Sequence, residues 1–301
     1  MPEQSKRDDE GNDRDRSCKP SPGLYLVATP IGNTGDITLR ALELLKGADL
    51  VACEDTRVTA KLLTRFGISA HTVPYHEHNA ATMRPKLLER VRQGQVVVLV
   101  SDAGTPLISD PGYKLVREAV ESGLAVTAAP GASALLTALQ LSGLPTDRFL
   151  FLGFLPNKTV ARRAALEEVA GLGATLVCYE SAQRLAALLA DAAAVLGGRS
   201  AAVARELTKL FEEVRRGGLA ELAAHYAEAG PPKGEVVVVI GPPADSDAES
   251  LDEAGLDAAL RHALVTSSLR DAVASVARLS GQPRKAVYAR ALVLVGAEEE
   301  E

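Results

Sequence analysis

Cysteine is scarce: only Cys18, Cys53 and Cys178 occur, odd in number and too far apart for a CxxC pair. Neither a zinc ribbon nor a disulfide framework is indicated, and a reducing compartment fits better. No uninterrupted apolar run approaches the roughly 18 residues that a membrane span requires. The opening MPEQSKRDDEGNDRDR has neither the basic flank nor the apolar stretch of a secretory signal. The expectation is a cytoplasmic protein that does not enter a membrane. The glycine fingerprints of nucleotide binding are missing too: the first strand end offers only Gly32 and Gly35, with no G-x-G-x-x-G, and no P-loop pattern occurs.

What is present is ample material for a core. At 301 residues, 47% apolar and 24% charged, the chain is long enough for about two domains and too apolar to be wholly disordered. The net charge of -6 argues against nucleic acid until it is divided by region. Residues 1–22, 245–257 and 298–301 together carry -11, residues 258–297 carry +5, and residues 23–244 are neutral. A basic module therefore hangs from a neutral body.

Strand and helix patterns alternate from Leu24 onward: LYLVAT, DITLRALELLKGA, DLVACE, TRVTAKLLTRFG, HTVPYHE, MRPKLLERVRQG, QVVVLVSD, YKLVREAVESG, LAVTAAPG and ASALLTALQLSG. This predicts an α/β domain on a mostly parallel sheet. The pattern breaks at GLPTDR and resumes in a second α/β set, from FLFLGFLP to EVVVVIG. The predicted organisation is a disordered polar tail over 1–22, an N-terminal α/β domain over 23–143 and a second over 144–243. An acidic linker over 244–257, a basic helical module over 258–297 and an acidic tail over 298–301 follow. The module is read as two helices, LDAALRHALVTSS and SLRDAVASVARLSG, followed by QPRKAVYARAL.

In open α/β sheets ligands gather at the carboxyl ends of strands. Three such ends are polar or glycine-rich here: Ala28 to Asn33, leading to Asp36 as a helix N-cap; Val100 to Gly112, with Asp102 and Asp110; and Ala129 to Ser133. Carboxylates rather than basic groups in the second of these favour a cation. Glu54, Asp55 and Arg57 mark a further strand end, where Glu54 can serve as a base and Arg57 as an anion clamp. Asp55 and Arg57 are equally explained as a helix cap and its ion pair. His76 and His78 lack a third ligand, and no metal site is expected.

Taken together, TPIGNTGDITLRAL, CEDTRVTAKLL, HEHN, SDAGTPLISDPG, PGASALLTALQLSGLPTDRFLFLGFLP, RELTK and KGE are specific. The chain resembles the RsmI family of 16S ribosomal RNA cytidine 2'-O-methyltransferases, within the tetrapyrrole (corrin and porphyrin) methylase superfamily. Two positions depart from the family's usual strings. Ala28 stands where GTPIGN has its first glycine, and Ala182 and Gln183 replace a Pro-His pair after Tyr-Glu-Ser.

The resemblance implies two α/β domains of the tetrapyrrole methylase type with a cleft between them, plus a small C-terminal helical module. It implies S-adenosylmethionine as cofactor, held in that cleft. Asp102, Gly104 and Ile108 are expected toward its methionine portion, Ala132, Ser133, Ala134, Tyr179 and Gly234 around its adenosine, and Pro30 among the cofactor-binding residues. It also implies methylation of a cytidine ribose in 16S rRNA of the assembled 30S subunit, by a homodimer, with the basic module gripping RNA. The carboxylate–guanidinium cluster at the strand end itself suggests Glu54 or Asp55 as acceptor of the hydroxyl proton and Arg57 as the group that orients a phosphate. Two rivals remain at this point: a tetrapyrrole-precursor methylase, whose polyanionic ligand calls for a basic cleft, and an RNA-binding protein that has lost catalysis.

Overall fold

The computed structural model describes residues 19–243, 253–280 and 282–298. The chain divides into two compact units, one holding residues up to Thr137 with Leu207–Phe211, the other Ala138–Glu206 with the chain from Glu212 onward.

The first unit alternates strand and helix: β1 (Gly23–Val27), α1 (Leu39–Gly47), β2 (Leu50–Cys53), α2 (Thr56–Arg65), β3 (Thr72–Pro74), α3 (Ala80–Arg92), β4 (Val96–Leu99), α4 (Tyr113–Glu121), β5 (Val126–Ala129) and α5 (Ala134–Ser142). Every pairing in its sheet is parallel, in the order β3-β2-β4-β1-β5. All five carboxyl ends therefore lie along one edge. The central strand β4 reads Val-Val-Val-Leu and is buried throughout, as a parallel strand covered on both faces must be. Val96 and Val98 pack with Leu44, Leu45 and Leu63 of α1 and α2. Val97 and Leu99 pack with Leu87, Leu88 and Leu115 of α3 and α4. Each such side chain contributes about 1.5–3 kcal/mol by burial.

Two local expectations change. Asp36 lies in a short 3-10 turn, and the N-cap of α1 is Thr38, whose hydroxyl accepts from Ala41. Residues 19–22, expected in the tail, are ordered against this unit: Lys19 pairs with Asp49 at 2.7 Å and Ser21 accepts from the Tyr25 hydroxyl at 2.7 Å. The remainder of that tail, 1–18, lies outside the described residues.

The boundary between the units falls inside α5, between Thr137 and Ala138, rather than at Leu144 to Arg148. The second unit contains β6 (Phe149–Phe154), α6 (Thr159–Glu167), β7 (Thr175–Ser181), α7 (Leu185–Leu196), β8 (Ser200–Arg205), β9 (Glu213–Gly218), α8 (Leu219–Ala229) and β10 (Glu235–Ile240). Its sheet runs β6-β7-β10-β8-β9 and is mixed: only β6 and β7 are parallel. Leu166 of α6, Leu185, Leu188 and Leu189 of α7 and Leu219 and Leu222 of α8 pack on Leu176, Val203 and Val238.

The C-terminal segment forms three helices, α9 (Glu253–Thr266), α10 (Leu269–Ser280) and α11 (Arg284–Glu298). The first begins within the stretch expected as linker, so 253–257 are helical; 244–252 and 299–301 lie outside the described residues. Leu260 and Val287 are fully buried among Leu256, Val273, Val276, Ala291 and Leu294. Ser268 caps the start of α10, its hydroxyl accepting from the Asp271 N–H and donating to the Asp271 carboxylate at 2.6 Å.

Candidate active site

At the carboxyl edge of the first sheet the loops after β1, β4 and β5 are bonded to one another. Thr29 and Gly104 exchange backbone hydrogen bonds at 2.9 and 3.0 Å, the Thr29 hydroxyl donates to Ser101 O, and the Thr105 hydroxyl donates to Ala132 O at 3.1 Å. Gly104 has φ +83°, and Leu107 and Ser109 also take the left-handed region, a concentration of strain typical of binding loops. Pro30, Asp102, Gly104, Ile108, Ala132, Ser133 and Ala134 thus all sit on the three joined loops or at the start of α5.

Ala28 is buried and has ordinary negative φ, with its N–H directed to Ala129 O. Its methyl faces Gly131, where a Cβ would lie only 2.9 Å away. The second glycine leaves the room that the first position occupies.

The end of β2 is tied to the same loops. Asp102 accepts from the Asp55 N–H at 3.0 Å. Asp55 caps α2 by accepting from the Arg57 N–H at 2.8 Å, and its carboxylate also holds the Arg57 guanidinium at 2.6 Å. That cation and these hydrogen bonds hold the Asp55 carboxyl down to about 2. Arg57 itself remains 87% exposed, so it can still meet an anion from solvent.

Glu54 is different. Burial and the negative charge of Asp102 push its carboxyl above the usual range, with His76 partly opposing them. Asp110 is raised further, to about 6, by burial first and then by Glu54, against a hydrogen bond from Ser101. Glu54, Asp102 and Asp110 therefore share one field of negative charge, to which Asp55, paired with Arg57, adds less than Asp102. Of the two carboxylates considered as bases, Asp55 is engaged with Arg57 and the α2 cap, whereas the Glu54 carboxyl is raised by burial. His76 and His78 fall in the turn after β3 rather than within the strand, and no group of three metal-ligating side chains occurs among the described residues.

The RELTK loop supplies what the sequence reading missed. Thr208 accepts from the Asn33 N–H at 3.0 Å, and Lys209 lies where a Cβ on Gly32 would stand. Glu206 and Thr208 both have positive φ. In the sequence RELTK stands out as one of the family strings, but nothing in it points to the loop after β1.

In the second unit, Tyr179 on β7 is in register with Val237 of β10, and Gly234 immediately precedes β10. The Tyr179 ring meets Phe151 and Phe154 edge-on, with centroids 4.9 and 5.7 Å apart. Gly234 has φ +95° and the Glu206 side chain lies over it, so a side chain there is excluded twice. After β7, the Arg184 guanidinium is 2.9 Å from the Glu180 carboxylate and donates to Leu155 O. Gln183, at one of the departing positions, is exposed.

The chain belongs to the tetrapyrrole (corrin/porphyrin) methylase family, which residues 23–223 match. Within it the chain falls among the RsmI proteins: residues 249–294 match the RsmI C-terminal HTH domain. It is 52% identical over 274 residues, 91% of this chain and 92% of the relative, to a protein of Mesorhizobium japonicum named ribosomal RNA small subunit methyltransferase I. A protein of the same name from Erythrobacter litoralis is 53% identical over 281 residues, 93% of this chain and 98% of the relative. Among solved structures, a diphthine synthase aligns with TM-score 0.56 and 19% identity, covering 72% of this chain and 89% of its own. The cobalt precorrin-4 methyltransferase CbiF aligns at 0.54 and 20%, covering 72% and 94%. At that identity these two share the fold.

Proposed function

We propose that this protein transfers a methyl group from S-adenosylmethionine to the ribose 2'-hydroxyl of a cytidine in 16S ribosomal RNA, acting as a homodimer on the assembled 30S subunit. The observation that carries the reading is the joined edge of the first sheet, where Glu54, Asp102 and Asp110 concentrate negative charge beside the start of α5. A sulfonium and an ammonium are cations, and the carboxylates suit them; the helix start and Ser133 suit a carboxylate. The residues present thus fit the cofactor. Near-half or higher identity over about nine tenths of the chain to proteins named ribosomal RNA small subunit methyltransferase I supports RNA over a tetrapyrrole, as does the neutral body with its separate basic module.

The cofactor supplies an electrophilic methyl on a sulfonium, whose departure is already favourable. Asp102, with Gly104 and Ile108, would hold its methionine portion, and Pro30 would be a further cofactor-binding residue. Ala132, Ser133 and Ala134, at the start of α5, would line its adenosine. A ribose hydroxyl is barely ionised at neutral pH, so Glu54 takes its proton as the new bond forms. Asp55 and Arg57 act as a unit: the carboxylate fixes the guanidinium, and the guanidinium orients the neighbouring phosphate. Positioning supplies much of the rest, since effective molarities reach roughly 10⁵ M or more when oxygen and carbon are held in line.

The test uses 30S subunits from cells lacking this protein, labelled S-adenosylmethionine and mass spectrometry of the product. A label mapped to one cytidine ribose is expected. No label in the RNA, or label accepted by a porphyrinoid instead, overturns the assignment.

A further inference from the structure

The C-terminal helices form an open surface cavity of about 370 Å³ lined by Arg270, Val273, Arg284, Lys285 and Tyr288. From it we propose that this module binds a single-stranded stretch of RNA, one unstacked base lying on Tyr288 and its flanking phosphates held by Arg270, Arg284 and Lys285. The inference rests on the reading of the chain as an RNA methyltransferase and adds to it a defined nucleotide site.

The charges of the module are not evenly engaged. Arg290 is held by Asp257 at 2.5 Å and by Glu253 at 2.8 Å. Arg270, Arg284 and Lys285 are exposed and have no ion-pair partner among the described residues. The acid beside Arg270, Asp271, is turned to the Ser268 hydroxyl. Three exposed cations therefore line one cavity, while the exposed Arg261 of α9 is not part of its lining. Arg284 and Tyr288 stand one turn apart on the same face of α11, and Lys285 adjoins them.

Tyr288 is 46% exposed, whereas Val273 beneath the cavity is 2% exposed and belongs to the module's core. An aromatic ring left at an apolar floor and flanked by three cations has the composition of a nucleotide platform: the ring offers a stacking face to any base, and the cations meet the backbone. A duplex keeps its bases stacked within itself and cannot present one to the ring. At about 370 Å³ the cavity falls within the size range of small-ligand sites.

The experiment measures anisotropy of a labelled short oligouridylate with the full chain over a series of salt concentrations, beside a duplex RNA of equal length. Tyr288→Ala is expected to weaken single-strand binding by about fivefold or more, the effect of losing one stacked base, with duplex binding unchanged. Tyr288→Phe keeps the parent affinity. Replacing Arg284 and Lys285 by Ala flattens the salt dependence by about one unit of log-log slope. Circular dichroism establishes that each variant is folded. Parent-like binding by Tyr288→Ala, or equal losses for single strand and duplex, overturns the site. So does a polyglutamate peptide that binds more tightly than the oligouridylate and is lost in the same variants, which would assign the cavity to an acidic peptide. Methylation of 30S subunits by the parent is measured in parallel: its absence removes the enzyme reading, whereas its presence with an unaffected Tyr288→Ala removes the nucleotide site alone.

Discussion

The Asp102 carboxylate accepts a hydrogen bond from the Asp55 backbone N–H at 3.0 Å, joining the loop after β4 to the first turn of α2. One oxygen thus holds the frame of the site while the charge remains for a ligand. Asp102→Asn keeps an acceptor oxygen in place and removes the charge. It is expected to unfold near the parent's temperature and to bind S-adenosylmethionine about tenfold or more weakly, since a hydrogen bond to a charged group contributes about 1.5–3 kcal/mol. Calorimetric titration measures this, and parent-like affinity would take Asp102 out of the cofactor site.

Glu54 and Asp55 are adjacent in sequence and differ in surroundings: Asp55 is paired with Arg57, and Glu54 is raised by burial. Glu54→Gln is expected to lower kcat by about 10²- to 10⁴-fold with cofactor affinity little changed, the range for loss of a general base. Asp55→Ala removes the α2 cap and frees Arg57, so it lowers the urea midpoint. The acid limb of the kcat profile reports Glu54, because a base is lost as pH falls through its pKa. Asp102→Asn removes a charge that raises that pKa, and at saturating cofactor it shifts the limb to lower pH. An unmoved limb would exclude Glu54 as the titrating group.

These roles were only partly legible in the sequence. The elements of the first unit follow from apolar periodicity, because a parallel strand buried on both faces reads as a run such as Val96 to Leu99. Strand β9 does not: Glu213, Arg215 and Arg216 give it no apolar alternation, and it forms at the sheet edge, where Glu213 pairs with Arg205 at 2.8 Å. Thr38 and Asp36 are both good capping residues, and only the turn at 34–36 decides between them. The choice of Glu54 over Asp55 depends on which carboxylate finds Arg57, a matter of local geometry rather than composition. The placement of Leu207–Phe211 with the first unit carries no local pattern at all.

Asp110 makes stability depend on pH. Burial, reinforced by Glu54 and Asp102, raises its carboxyl from 3.8 to about 6. Between those values the folded protein holds a proton that the unfolded chain has released, so stability falls as pH rises through that window. Asp110→Asn stays neutral throughout. Its melting temperature is expected to exceed the parent's at neutral pH, with the difference closing toward about pH 4, below which both forms are uncharged. Thermal denaturation across that range checks the sign, and parallel profiles would show that Asp110 does not titrate this way.

Ala28 and Gly131 test whether the departure from the family's glycine is absorbed locally. A Cβ on Gly131 would stand 2.9 Å from the Ala28 methyl, and neither backbone can yield cheaply, since Ala28 lies beside β5 and Gly131 precedes Ser133 and α5. Gly131→Ala is expected to destabilise the protein by about 1–3 kcal/mol, the usual cost of overpacking. Ala28→Gly opens the space at small cost to packing. In the double variant the two changes are in direct contact and must not add: Ala28→Gly should return most of the stability that Gly131→Ala removes, and urea denaturation of the four proteins measures the coupling. Additive losses would mean that the methyl at 28 is accommodated by something other than the glycine opposite it.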